Sequence, residues 1–224
     1  MEPVCLVIGA GAGIGGNVAR RFALEGYHAV LCRRSNEQGL NKMVQAIRGE
    51  GGKASGFILN AVEENSIEDR IAAIEADIGP IEVFVFNLGA QTGNLGLEAT
   101  SSKAFELGWR LATFSLFRAA SVLCPRMEKR GKGTFLVTSS TAAMRGNPGQ
   151  HSHAAAMGAP DTLGKLLGPE RFQDLREKRG LEHDGLLLPE RVADTYYHLS
   201  QQHRSAWTHE IDLRPFSEKP WWNS

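Results

Sequence analysis

The sequence predicts a doubly wound parallel α/β sheet, on three observations. Short apolar runs alternate with stretches of helical periodicity from Val4 to Val137. The first apolar run ends in a glycine-rich turn, Gly9-Ala10-Gly11-Ala12-Gly13-Ile14-Gly15, and a helix-like stretch follows at once. The chain has 224 residues, which suits a single domain spanning 1–224 and is long enough to bury a substantial core.

Val4 to Ile8 is apolar at every position, as expected of a strand covered on both faces. After the turn, a helix from about Ile14 to Glu25 stops at Gly26, and His28 to Cys32 forms a second strand ending in Arg33-Arg34. Residues 36 to 50 are helical and closed by Gly51-Gly52; Ala54 to Leu59 is a third strand. Ile67, Ile71, Ile74 and Ile78 recur at helical spacing with acidic residues between them, so that helix packs one face on the sheet. Val83 to Phe86 is the fourth strand.

Ser101 to Arg130 reads as one long helix rich in large apolar residues: Phe105, Trp109, Phe114, Phe117, Leu123 and Met127. These are core residues in one reading and a subunit interface in the other. Gly131 and Gly133 end the helix, and Thr134 to Val137 is the fifth strand. Strands separated by helices pair in parallel through right-handed crossovers. Between 160 and 190, Pro160, Gly164, Gly168, Pro169, Gly180, Gly185 and Pro189 punctuate short pieces, which predicts a loop-and-helix flap over a substrate region. A helix from about Pro189 to Gln202 and a last strand, Ala206 to Leu213, close the domain, and Trp221-Trp222 cap an apolar patch or reach a neighbouring subunit.

The glycine turn carries the strongest chemical signal. A backbone without Cβ makes the tight turn and lets its N–H groups approach a pyrophosphate, whose charge the helix N-terminus then favours. Two spacings fit, Gly11-x-Gly13-x-x-Gly16 and Gly9-x-x-x-Gly13-x-Gly15, and the second carries more weight. The expected ligand is a dinucleotide.

Lys plus Arg and Asp plus Glu stand at 25 each, so no global field draws nucleic acid or an anionic membrane. Cys5, Cys32 and Cys124 are widely spaced, with no CxxC and no metal-like grouping, which predicts no metal site and a reducing, cytoplasmic compartment. No apolar stretch approaches the roughly 20 residues that span a bilayer. Met1-Glu2-Pro3 leads straight into a strand, so no signal peptide is expected.

The glycine turn, Asn87-Leu88-Gly89-Ala90 after the fourth strand and Thr138-Ser139-Ser140 after the fifth stand in order at suitable separations. Together they resemble the short-chain dehydrogenase/reductase family, over about residues 3 to 158 plus the final strand. The resemblance implies a Rossmann-like fold, a homo-oligomer, and hydride transfer between a nicotinamide cofactor and a small carbonyl or alcohol. By the same resemblance Gly9, Gly11, Gly13, Ile14 and Gly15 hold the pyrophosphate, and Asn87 and Gly89 support the sheet beside the adenosine ribose. Asn60 stands where the family often has an Asp near the adenine, and Ser140 orients the substrate oxygen. At the end of the second strand, where the cofactor's 2′ position is read, stand Arg33 and Arg34, which favours NADP(H) over NAD(H).

The family's proton-transfer pair departs from the pattern. Thirteen residues after Ser140, where the family has Tyr, stands His153; four further on, where it has Lys, stands Met157. Ser101 to Arg130 contains no Asn, the family's further catalytic residue on that helix. An imidazolium donates a proton near neutrality without help from Lys, so His153 and Ser140 form the expected catalytic pair. The chain is also short by a helix-strand segment after Ala159, which leaves the fifth strand's edge open or closed by the final strand. A second reading follows: an NADP(H)-binding regulatory or interaction protein without turnover, or a truncated isoform.

Overall fold

The computed structural model describes residues 2–89, 98–140, 156, 186–203, 205–215 and 217. Five strands are present among them: β1 (Val4–Ile8), β2 (His28–Arg33), β3 (Lys53–Ile58), β4 (Ile81–Phe86) and β5 (Thr134–Val137). The helices are α1 (Ile14–Leu24), α2 (Glu37–Gly49), α3 (Ser66–Asp77), α4 (Ser102–Trp109), α5 (Ser115–Arg130) and α6 (Pro189–Ser200). All strand pairs are parallel, in the order β3-β2-β1-β4-β5. The chain builds outward from β1 to β3, then returns to the other side of β1 with β4. This reversal opens a crevice at the carboxyl ends of β1 and β4, where ligands of such sheets bind.

The alternation of side chains along β1 divides the core into two layers. Cys5 and Val7 pack with Val18 and Phe22 of α1, Leu40, Val44 and Ile47 of α2, and Val192 and Tyr196 of α6. Leu6 and Ile8 pack with Phe84 and Phe86 of β4, Ile67, Ile71 and Ile74 of α3, and Leu123 of α5. Helices α1, α2, α3, α5 and α6 each therefore commit one apolar stripe to the sheet. Across the first layer, Phe22 meets Tyr197 edge-on at 5.5 Å, and Thr138, just after β5, hydrogen-bonds Tyr196 at 2.6 Å. These contacts fix α6 over the first layer.

The long helix runs through Arg110–Phe114 as a π-helical turn joining α4 to α5. Ser115 hydrogen-bonds the Arg110 carbonyl at 2.7 Å, which closes the widened turn from the inside. Of the large apolar residues on this helix, Leu123 and Met127 are core. Phe105, Trp109, Phe114 and Phe117 are exposed, and Trp109, Phe114 and Phe117 stack in series with centroid separations of 5.3 and 6.3 Å. The core reading therefore holds for one face of the helix only.

The segment Ala206 to Leu213, expected as a strand, is not one. Its apolar residues alternate, but periodicity supplies no ladder partner, and Trp207 and Ile211 face solvent while Leu213 touches the first core layer. The flap up to residue 185 and Trp221-Trp222 lie outside the described residues. Among the described residues, no helix is long and apolar enough to cross a membrane.

Candidate functional site

The turn after β1 is built from backbone hydrogen bonds that only this sequence of small residues permits. Gly9 N–H and Ala10 N–H both donate to the Cys32 carbonyl at 2.9 Å, which seats the turn on the end of β2. Gly9 has φ of +95°, and a Cβ there would stand 2.2 Å from the Asn87 carbonyl oxygen. Asn87 closes the other side, its Nδ2 donating to the Gly9 carbonyl at 3.0 Å and its N–H to the Ile8 carbonyl at 2.8 Å. Gly15 is equally enclosed, since its Cβ would meet the Gly9 carbonyl at 2.5 Å.

Gly11 and Gly13 differ from these two. Among the described residues, a Cβ on either would meet nothing within 4 Å. Gly13 is the N-cap of α1 and no side chain caps that end; its first turn carries no acidic residue. The Gly16 N–H donates to the Gly11 carbonyl at 2.8 Å, and the helix presents its other first-turn N–H groups and the positive end of its dipole to space flanked by glycine. Ile14, the first residue of α1, is half-buried and its side chain packs on the first core layer, which anchors the helix start.

Beside this opening, Arg33 ends β2 half-buried and Arg34 follows exposed. Among the described residues, neither guanidinium makes an ion pair or a side-chain hydrogen bond. The Arg33 carbonyl accepts from Leu59 N–H at 2.9 Å, which brings the end of β3 alongside. Asn60 follows. Its Nδ2 donates to Glu63 Oε1 at 2.9 Å, and because a carboxylate only accepts, this sets the amide with Oδ1 turned away. Oδ1 is buried without a hydrogen-bond partner. A buried carbonyl oxygen so left costs about 1–3 kcal/mol unless a donor arrives. Among the described residues, the space at Gly11 and Gly13, two cations without ion pairs and a buried acceptor without a donor therefore follow the ends of β1, β2 and β3.

Gly89 lies half-buried in the chain leaving β4. At the opposite side of the crevice, Thr138 N–H pairs with the Phe86 carbonyl at 3.0 Å, so Ser140 emerges beside the Asn87 strand end and is half-buried. His153 and Met157 lie outside the described residues. A depression of about 340 Å3 opens beside Asn60 and Glu63 toward Asp69 and Arg70. No glycine of the turn lines it, so it adjoins the crevice without being its centre.

Sequence reasoning missed two residues, Ser115 and Arg118. Both are buried. Arg118 donates to both oxygens of Glu68 at 2.7 and 2.5 Å, and its Nη1 donates to the Ala61 carbonyl at 3.0 Å; Ser115 Oγ lies 3.0 Å from the same carbonyl. The available signal was a charge inside an apolar stripe, because Arg118 shares its buried face with Ala119 and Leu123.

The family model described as short chain dehydrogenase matches residues 3–171. Gluconate 5-dehydrogenase of Gluconobacter oxydans is 31% identical over 181 residues, covering 81% of this chain and 68% of that protein. The short-chain reductase NovJ of Streptomyces niveus is 32% identical over 172 residues, covering 75% and 64%. The chain thus spans about two thirds of the length of the curated relatives it matches. A crystal structure of a short-chain dehydrogenase from Rhodopseudomonas palustris superposes with a TM-score of 0.78 at 29% identity, covering 96% of this chain and 100% of that one.

Proposed function

Because the chain belongs to the short-chain dehydrogenase family, we propose that it is an NADP(H)-dependent oxidoreductase acting on a small carbonyl or alcohol. The observation that carries this reading is the pair of glycines, Gly11 and Gly13, whose missing side chains leave room at the uncapped start of α1. Their backbone would hold the pyrophosphate, Gly9 and Gly15 shaping the turn behind it and Ile14 seating the helix, while Asn87 pins the turn and Gly89 keeps the adjoining chain close. Asn60 Oδ1 would accept from the adenine amino group. Calorimetric titration with NADPH and then NADH tests the reading. NADPH preferred supports it; a folded protein that binds neither refutes it.

Choice between the two cofactors falls to Arg33 and Arg34. A ribose 2′-phosphate pairs with guanidinium groups, whereas a ribose hydroxyl needs an acceptor. Arg33→Asp is expected to weaken NADPH binding at least tenfold and to improve NADH binding, so that the preference reverses. Equal ratios for parent and variant would remove Arg33 from 2′-phosphate recognition.

NADP(H), when bound, supplies or accepts the hydride at its nicotinamide. Ser140 would hold the substrate oxygen by donating to it, and His153 would give the proton to that oxygen in reduction and take it back in oxidation. With no Tyr and Lys pair, turnover would be slow, and reduction would be favoured where the imidazole is protonated. His153→Phe is expected to abolish reduction with NADPH affinity unchanged. Surviving turnover would sink the acid role.

The stacked face of Trp109, Phe114 and Phe117 supports a second copy of this chain as partner, since a row of exposed aromatics on one helix is costly to leave in water. Phe117→Lys is expected to convert the assembly to a monomer by light scattering; a parent protein that is already monomeric would overturn the pairing.

A further inference from the structure

The adenine end of the crevice is a turn, residues 59–66, and a turn holds a base in place only if something holds the turn. Its own bonds do part of this: Ser66 Oγ donates to the Asn60 carbonyl at 2.8 Å and Glu63 N–H to the same carbonyl at 3.1 Å. None of these reaches the sheet or the opposite helix. Leu59 N–H ties the start of the turn to the Arg33 carbonyl of β2, and beyond Asn60 a further long-range tie comes from α5, more than fifty residues on: Arg118 Nη1 donates to the Ala61 carbonyl, which Ser115 Oγ also approaches. The side chain of Ala61 is itself buried, so the peptide following Asn60 is enclosed between α3 and α5.

Arg118 is an unusual choice for that task. A buried guanidinium is costly to desolvate, and an apolar residue would serve packing as well or better. Its cost is offset here by a bidentate pair with Glu68, which leaves Nη1 aimed at one carbonyl. The same bond to Arg118 holds the Glu68 carboxyl below the usual carboxylate range, against the opposing effect of burial. The pair joins α3 to α5 beside the turn that carries Asn60.

We infer that Arg118, aimed by Glu68, is a positioning residue for adenine recognition: by fixing the Ala61 carbonyl it keeps Asn60 Oδ1 directed to the 6-amino group of the cofactor. This rests on the NADP(H) reading above. It goes beyond it in assigning base discrimination to a residue that touches no part of the cofactor. Packing alone predicts that loss of Arg118 lowers stability and weakens every ligand alike. Positioning predicts loss of discrimination between bases.

The test uses NADPH and its hypoxanthine analogue, which carries a carbonyl in place of the 6-amino group, titrated into the full chain by calorimetry. The parent protein is expected to bind NADPH about tenfold more tightly than the analogue, the difference one well-made hydrogen bond supplies. In Arg118→Met the ratio is expected to fall below about twofold, and in Arg118→Lys, which retains a donor, to recover partway. Glu68→Gln, which frees the guanidinium without removing it, gives a second route should Arg118→Met fail to fold, and is expected to lower the ratio as well. A folded variant that keeps the parent ratio overturns the proposal and leaves the NADP(H) reading standing. So does a parent that binds both ligands equally. A parent that binds neither NADPH nor NADH refutes the functional reading, and this proposal with it.

Discussion

Replacing Gly9 with alanine is expected to lower stability by about 3–5 kcal/mol and the melting temperature by about 10 °C. Two separate costs add. The backbone at Gly9 has φ of +95°, a conformation that an L side chain adopts only under strain. The added methyl would also stand 2.2 Å from the Asn87 carbonyl oxygen and 2.5 Å from its carbon, well inside contact distance. Neither neighbour is a flexible side chain that could swing aside. Asn87 N–H is bonded to the Ile8 carbonyl in the same place, so relief requires that β1 and β4 part at their carboxyl ends. Thermal denaturation followed by circular dichroism measures the effect. A shift under about 2 °C would mean that the turn relaxes freely and that the close approach of β1 and β4 is not held by this glycine.

Gly13→Val is expected to do the reverse: to spare the fold and abolish cofactor binding. A Cβ at Gly13 meets no atom of the described residues within 4 Å, so the substitution costs little beyond a poorer N-cap, about 1 kcal/mol or 2–4 °C. The isopropyl group instead fills the space in front of the α1 N–H groups. A pyrophosphate kept from those donors loses charge-assisted hydrogen bonds of about 1.5–3 kcal/mol each, so affinity for NADPH should fall by at least about 100-fold, or about 2.7 kcal/mol. Calorimetry on the variant, with its melting curve alongside, tests both halves of the expectation. Unchanged affinity would place the phosphates elsewhere and remove the main support for the functional reading. The contrast with Gly9 is itself informative, because two glycines four residues apart in one motif are needed for opposite reasons: one for what is behind it and the other for what is in front.

That contrast marks where reading the chain stops. The glycine spacing, the all-apolar run Val4–Ile8 and the isoleucines of α3 were legible because each is a local pattern with one structural solution: a tight turn, a doubly covered strand, a one-faced helix. Strand ends were less well defined, β3 beginning at Lys53 rather than Ala54 and β4 at Ile81 rather than Val83, since pairing with the neighbouring strand extends a ladder through polar residues. Ala206 to Leu213 misled for the converse reason: alternation there pairs with no strand among the described residues. The long aromatic helix misled in part, because composition counts apolar residues without telling which face of the helix meets the sheet. Of the proposed site, sequence supplied the candidates, namely the glycines, Arg33, Arg34, Asn60, Asn87 and Ser140, because residue type and spacing are local properties. It was silent on Arg118, whose partners Glu68 and Ala61 lie 50 and 57 positions away. Sequence by itself therefore determined the family, the order of sheet and helix, and the position of the glycine turn, all of which rest on contacts between near neighbours. Only the tertiary structure decided which glycines are walled in and which stand open, that Asn60 keeps a buried acceptor free, and that α5 holds the turn beside it, because each depends on which distant segment arrives at that point in space.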